Sequence, residues 1–521
     1  MCAQTLTEAG RKTLLIDAGV TCETNSSVPE NADFLQIRTS SERQQAIFLG
    51  QQFEGIDWGT AKAGSQLTPA RKFVIEKVSE LLPLETTGFY PFESLAYGGL
   101  GAAWGLGCFK FSPAELEKAN LPVDAINKAY QVVAERIGIS YTSDDIDKYA
   151  MPGVEHLHPA ISIDDNASSI LQRYERRKSK LHQKNFYLGV TPQALLTKDK
   201  DHRKATDYSN MDFYDNRGLS AYRPDITIDA LKKAPNFFYQ SGVLVTTFEE
   251  HEDHITVSGI IIDTNEPITF KTKKLLLACN VLGTARIVLR SFKKFGHALP
   301  LLCNPYSYLT CLITQRLGKL ASAKQTSTSQ LSLFHDRDNA NVDIAMASLY
   351  SYSSLMLYRV LKEVPLNFKD GLSFMQYIIP ATLIAGIHHP DAQSQSKYIQ
   401  LKPNGGTRTG DILFTHYALG SSEKRAIEQR EKLFGQMLFK LGCVPLKKIT
   451  PAMGSSIHYA GTLPFSKKEK MFTVQPNGRL SNTKNVFIAD GAGFTFLPAK
   501  GITLTLMANA HNTALNVLQH A

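Results

Sequence analysis

The chain has 521 residues, too many for one ordinary core and suited to two closely joined domains. Hydrophobic residues make up 43% and charged residues 20%, which excludes a disordered or fibrous class. The net charge of +9 comes from 57 Lys+Arg against 48 Asp+Glu, scattered along the chain, a pattern that argues against nucleic acid as a partner and fits solubility or an anionic surface.

The seven cysteines are odd in number and have no zinc spacing, so no metal site is expected. Cys2, Cys22, Cys108, Cys279, Cys303, Cys311 and Cys443 read as reduced, mostly buried thiols of a cytoplasmic protein. Met1 leads directly into helical sequence, so no signal peptide is read.

Residues 1–19 give a helix end, a turn at Gly10 and a strand over Thr13–Ile16, closed by Asp17. An acidic residue at a strand end is placed to accept hydrogen bonds from a ribose. Residues 20–90 are polar and irregular, with an amphipathic helix predicted over Leu67–Leu82. The run LAYGGLGAAWGLGCF holds Gly98, Gly99, Gly101, Gly105 and Gly107, and so little side-chain bulk that a ligand can approach the backbone. FSPAELEKA then starts a helix with Ser112 as N-cap, Pro113 at N1 and Glu115 at N3. Tyr130 and Val133 mark one face of the next helical stretch.

Arg173–Lys184 is the densest basic run and reads as a solvated helix face. Residues 226–291 are predicted as a helix, a short link, a strand over Val243–Thr246, a hairpin, a buried strand over Leu275–Ala278 and a helix over Thr284–Leu289. Two apolar runs follow, VDIAMASLYSYSSLMLYRVL and Gly371–Ile387. The second is interrupted by Gln376 and Pro380 and reads as buried or interfacial rather than spanning. Strands near Leu331–Phe334, Val342–Ala347 and Ile412–Tyr417 suggest an antiparallel sheet, and Ser421–Gly442 is a capped helix led by Ser421 or Ser422.

The last segment holds GSSIHYAGTLP, in which His458 precedes a compact turn able to project a base into a cavity. Val486–Ala489 reads as a buried strand ended by Asp490 and Gly491. A loop with Pro498 and Gly501 leads into a helix over Thr503–Leu518. Strand, acidic residue, glycines and helix together present backbone N–H groups to a phosphate or an electron-rich ring. Lys500 is expected at the surface.

These stretches resemble the glucose–methanol–choline (GMC) oxidoreductases, FAD enzymes that oxidise alcohols. The matching parts are TLTEAGRKTLLIDAG, the glycine loop at Gly98–Gly107, LLLACNVLGTARIVLRS, HYAGT and ADGAGFTFLPAKGITLTLMANAHNTA, in the family's order and over nearly the whole length. The resemblance implies that Asp17 holds the adenosine ribose and that Gly99 and Gly101 lie under pyrophosphate and flavin. Val245 would sit on the adenine side, Ala278 near the pyrophosphate, and Asp490 and Gly491 near ribityl and pyrophosphate. Gly501, Ile502 and Thr503 would approach the pyrimidine edge of the isoalloxazine. His458 would be the histidine over flavin N5, assisting removal of the alcohol proton while hydride leaves carbon. Two departures are visible. GxGxxG is missing ahead of the first helix, and Gly501 stands where many members carry a second catalytic Asn or His. His458 would then act alone or with Tyr459, Lys500 or His511.

The expected architecture is α/β: an N-terminally truncated, Rossmann-like FAD-binding domain with an α+β substrate domain containing an antiparallel sheet. Residues 1–125 and 225–300 would give the first two parts of the FAD domain, with an excursion at 20–90. Residues 126–224 would be a mixed insertion, 301–451 the substrate domain, and 452–521 the closing cofactor and catalytic segment. The implied activity is FAD-dependent oxidation of the CH–OH group of a small-molecule alcohol, a sugar or lipid-like hydroxyl, with an unknown electron acceptor. The alternatives are a truncated or non-catalytic homologue and a peripheral membrane or scaffold protein. Location is expected to be cytoplasmic, with membrane contact through the basic and apolar runs as the variant.

Overall fold

The computed structural model describes residues 1–21, 28, 32–48, 50, 69–322, 325–351 and 367–519. Cys22, the start of the Leu67–Leu82 helix and the second half of the first apolar run lie outside these. The fold is α/β with mixed sheets.

On one side, four short strands form two separate parallel pairs. Thr13–Ile16 pairs with Phe237–Gln240, and Leu275–Leu277 pairs with Val486–Ile488. A three-stranded meander over Val243–Glu250, Ile255–Ile261 and Pro267–Thr272 adjoins them. The helix Cys2–Glu8 packs on the terminal helix Thr503–Gln519. Thr5 Oγ1 lies 2.7 Å from His511 Nδ1, and the Cys2 thiol donates to the Ala510 carbonyl at 2.8 Å. The helix Val123–Ile137 lies on the same terminal helix, with the Tyr130 and Thr505 hydroxyls 2.7 Å apart.

On the other side is a six-stranded antiparallel sheet. Its order is Cys443–Ile449, Tyr306–Ile313, Thr382–His388, Ile344–Ser351, Leu331–Asp336 and Phe186–Val190. Alternation along the strands divides its residues between two faces. Leu309, Cys311 and Ile313, with Leu383, Ala385 and Ile387, pack under the helices Asp165–Glu175 and Ser421–Lys440, where Phe434, Met437 and Leu438 are buried against them. The opposite face therefore carries Tyr306, Tyr308, Tyr350, Gly386 and His388. Register puts Tyr306 directly across from His388, and Tyr308 across from Gly386.

Several predicted elements change in the structure. Pro69–Ile75 is a 3₁₀ turn and Val78–Leu81 a single α turn, with Lys77 in the left-handed region between them, so no continuous helix reaches Leu82. The short link after Leu231 is the strand Phe237–Gln240, whose alternate residues are exposed because only one face packs. The helix placed at Thr284 begins at Asn280, and the basic run is split into helices ending at Glu175 and beginning at Lys178. Gly420, not Ser421 or Ser422, caps the helix Ser421–Lys440, because its N–H is taken by the Glu423 carboxylate at 2.7 Å. The apolar run Gly371–Ile387 divides into the end of the helix Phe368–Tyr377 and most of the strand Thr382–His388. Asp411–Tyr417 joins a different sheet, a four-stranded one completed by Leu84–Thr87, Lys397–Pro403 and Leu299–Pro300. Among the described residues, no helix is long and apolar enough to cross a membrane.

Candidate active site

Asp17 closes its strand as expected and meets the start of the glycine run. Its carboxylate accepts the N–H groups of Gly19, Ala18 and Gly98 and the Tyr239 hydroxyl. Burial outweighs these bonds and pushes its pKa up to about 6. The glycine run reaches from here to the other end of the candidate site. Gly98 and Gly99 both have positive φ, and a side chain added at Gly99 would meet nothing within 4 Å. At the far end, a Cβ on Gly501 would come 3.2 Å from the Gly107 carbonyl. Gly101 has a packing reason of its own: a Cβ there would lie 2.5 Å from Pro224 Cγ.

The parallel pair Leu275–Leu277 and Val486–Ile488 delivers Ala278 and Cys279 beside Asp490 and Gly491, and the Ala489 N–H donates to the Leu277 carbonyl at 2.8 Å. Thr284 Oγ1 donates to Asp490 Oδ2 at 2.6 Å, and Asp490 Oδ1 accepts the Ala492 N–H at 2.9 Å. Burial still raises the Asp490 pKa to about 6. Ala278 and Cys279 are exposed to solvent at the end of an otherwise well-packed strand. Cys279 is nonetheless closely surrounded by protein, as a residue lining a cleft is. That enclosure, then the charges of Asp490 and Asp17, holds its thiol up at about 12. Asp17, Gly98, Cys279 and Asp490 thus lie near one another.

Val245 sits half-buried in the first strand of the meander, where the register slips between Val245 and Thr247. Thr503 opens the terminal helix.

His458 follows Ile457, which has positive φ and turns the chain. Its Nδ1 is 3.0 Å from Asn304 Oδ1. The Asn304 amide nitrogen donates to the carbonyls of His389 at 2.8 Å and Pro498 at 3.0 Å, so the oxygen must face the imidazole. This network assigns the proton to Nδ1 and leaves Nε2 with a free lone pair. Burial lowers the His458 pKa to about 4, so the ring is neutral near pH 7. Through Asn304 it is tied to Pro498, at the head of the loop that carries Gly501.

The three suggested helpers of His458 are engaged elsewhere. Tyr459 accepts the Phe92 N–H at 2.9 Å and donates to the Gly454 carbonyl. His511 belongs to the junction with Thr5. Lys500, expected at the surface, is 1% exposed and ion-paired with the fully buried Glu115 at 2.8 Å, an interior polar pair that apolar patterning does not reveal. Sequence reasoning does not single out Asn304 or His388. The HHP triplet at His388–Pro390 and the NP pair at Asn304–Pro305 mark strand ends, but only the strand pairing brings them to His458.

Residues 445–510 match the C-terminal family profile described as GMC oxidoreductase. Along its whole length the chain has the fold of a solved structure, pyridoxine 4-oxidase from Mesorbium loti. The TM-score is 0.60 at 11% identity, covering 100% of this chain and 97% of that one. No curated protein matches the sequence significantly. The family match thus covers the C-terminal segment, and the likeness to the solved structure is one of fold along the whole chain.

The residues gathered here fit the FAD that the sequence resemblance implies: an acidic strand end, a glycine backbone with open space beside Gly99, and accessible strand-end residues at Ala278 and Cys279. Such a surface can take a dinucleotide without displacing core side chains.

Proposed function

We propose that this chain is an FAD-dependent oxidoreductase acting on the CH–OH group of a small-molecule alcohol, with His458 as the base. The observation that carries this reading is the fixed, neutral imidazole of His458, whose Nδ1–H is held by Asn304 and whose Nε2 is left to accept a proton. The two parallel strand pairs and the glycine run are read as a Rossmann-like FAD domain. Asp17 would hold the ribose, Val245 the adenine side, and Gly99, Ala278, Asp490 and Gly491 the diphosphate and ribityl. Gly501 and Thr503 would border the ring. FAD, when bound, supplies the two-electron acceptor for the hydride leaving the carbinol carbon.

The protein's part is to bind and orient the alcohol and to move its hydroxyl proton to His458 Nε2. An alkoxide-like carbon gives up hydride more readily, and a neutral base in place at working pH lowers that barrier. The tyrosine-bearing sheet face, with Tyr306 at 4.2 Å from the His388 ring centroid, favours a planar aromatic or heteroaromatic alcohol. Pyridoxine, after which the enzyme of similar fold is named, is the natural first probe.

The test is to purify the protein with FAD, record bound flavin by its visible absorbance, and assay an alcohol panel led by pyridoxine and benzyl alcohol with an artificial acceptor. His458→Ala is expected to slow flavin reduction by about 10² or more while leaving flavin binding intact. Equal reduction rates would remove His458 from the mechanism, and a folded protein that takes up no FAD would end the reading.

A further inference from the structure

A cavity of about 580 Å³ opens at the outer edge of the six-stranded sheet, beside the strand Phe186–Val190. That strand lies three places from the one ending in His388, at least about 14 Å away at the usual spacing, so the cavity is separate from the candidate active site. Its size is ordinary for a small-molecule site. Ala160, Leu171, Leu188 and Val190 give it an apolar wall. Its polar wall comes from the loop 142–145 and from Glu175 and Lys178 on the adjoining helices.

Two carboxylates of that wall are fixed by the surrounding chain. Asp144 accepts the Val190 N–H at 2.7 Å, the Ile146 N–H at 3.1 Å and the Tyr141 hydroxyl at 3.2 Å. Gly189 makes room for it, since a Cβ at that position would come 2.4 Å from both Asp144 oxygens. Asp145 is held by the Tyr174 hydroxyl, by His182 Nε2 at 2.7 Å and by Lys178 Nζ at 3.0 Å. A carboxylate has about four acceptor positions, so each of the two keeps room for a further donor. Burial raises the Asp144 pKa, a rise that a bound cation opposes. Register adds acceptors: the Thr191 N–H goes to the Gln330 carbonyl, so Leu188 and Val190 turn their carbonyls to the outer edge. Glu175 stands exposed at the rim. Three carboxylates thus line the cavity against the single ammonium of Lys178.

We infer that this cavity binds an organic cation, a primary ammonium carried on an apolar body. The inference depends neither on the flavin nor on the alcohol chemistry. An ammonium has three N–H groups to place on acceptors spread over a loop, a helix and a strand edge. A quaternary ammonium would need aromatic faces, and no aromatic side chain among the described residues lines the cavity. A guanidinium prefers both oxygens of one carboxylate, and both oxygens of Asp144 and of Asp145 already carry bonds. Among the described residues no His, Cys, Asp and Glu are grouped to hold a metal ion. Lys178 shows that the wall accepts this chemistry, because its own alkylammonium sits on Asp145. The apolar wall takes the body of the ligand out of water.

The probe is 2-phenylethylamine, cationic at neutral pH, titrated by calorimetry into the purified chain at low salt. Neutral 2-phenylacetamide and anionic phenylacetate are the controls. The amine is expected to bind with a Kd below ~1 mM, at least tenfold tighter than either control, and to weaken as salt is raised. Glu175→Lys and Ser143→Arg, both at exposed positions, are each expected to weaken the amine about tenfold or more. Lys178→Met removes the resident cation and is expected to tighten the amine severalfold, a change of sign that a purely structural wall would not give. No binding of the amine, equal binding of 2-phenylacetamide, wild-type affinity in the two added-cation variants, or weaker binding in Lys178→Met would overturn the assignment.

Discussion

Lys500 Nζ lies 2.8 Å from Glu115 Oε2, in a part of the molecule where neither side chain meets solvent. The same carboxylate oxygen accepts the Ser112 N–H at 2.7 Å, so the pair ties a helix cap to the loop carrying Gly501. Removing one member strands a buried charge, whereas removing both does not. Glu115→Gln is expected to cost roughly 3–5 kcal/mol in urea unfolding. The double variant Lys500→Met with Glu115→Leu should lose clearly less. Equal losses would mean that the charge pairing matters little to the fold.

Asn304 acts on His458 rather than on substrate, so its replacement should change the pH profile as well as the rate. Asn304→Asp puts a carboxylate beside the Nδ1–H and favours the imidazolium. The acid limb of kcat/KM, expected at about 4 from the His458 pKa, should move upward. Asn304→Leu should lower kcat by about tenfold or more while flavin absorbance per protein stays the same. An unmoved limb in Asn304→Asp would show that the His458 proton is placed by something else.

Gly99 separates a packing role from a ligand role. Nothing lies within 4 Å of a Cβ built there, so Gly99→Ala meets only the backbone strain of its φ of +61°, a cost of about 1 kcal/mol. The thermal midpoint should fall slightly, and retention of FAD through desalting should fall much more. A variant that keeps its flavin fully would place the dinucleotide elsewhere.

Acid stability should reflect two opposing sets of groups. His458 and His511 titrate at about 4 in the folded protein against an ordinary 6.5. The unfolded chain therefore binds more protons between those values, and stability present above about pH 6.5 is lost as pH falls towards 4. Asp17 and Asp490 sit at about 6 against 3.8, so their contribution is present below 3.8 and lost as pH rises through 6. In cofactor-free protein, His511→Gln should lessen the acid loss across the pH 6.5 to 4 window. Asp490→Asn should raise the unfolding midpoint at neutral pH. Urea titrations at fixed pH values check both, and an unchanged pH slope in His511→Gln would contradict the first.

Several elements around Asp17 and Asp490 were legible because their signals are local. Thr13–Ile16, the Ser112 cap with Pro113 and Glu115, and the strand before Asp490 are each written in a few consecutive residues. What stayed hidden depends on pairing between distant segments. Lys500 looked like a surface lysine because its partner is 385 residues away. His388 lies just past the apolar run that ends at Ile387, and only its register opposite Tyr306 reveals which way it points. Asn304 carries no motif, and its role follows from three hydrogen bonds that meet at one amide.

The Cys2 thiol and the Ala510 carbonyl are 508 positions apart in sequence and in contact in space. The helix Cys2–Glu8 therefore cannot find its neighbour until the chain has been made through Ala510, and the walls it helps to build wait with it. Contacts of such range close slowly and leave the early segments exposed to wrong partners meanwhile. Yield of soluble protein should thus be sensitive to expression temperature and chaperone supply, and flavin uptake should be a late event in maturation.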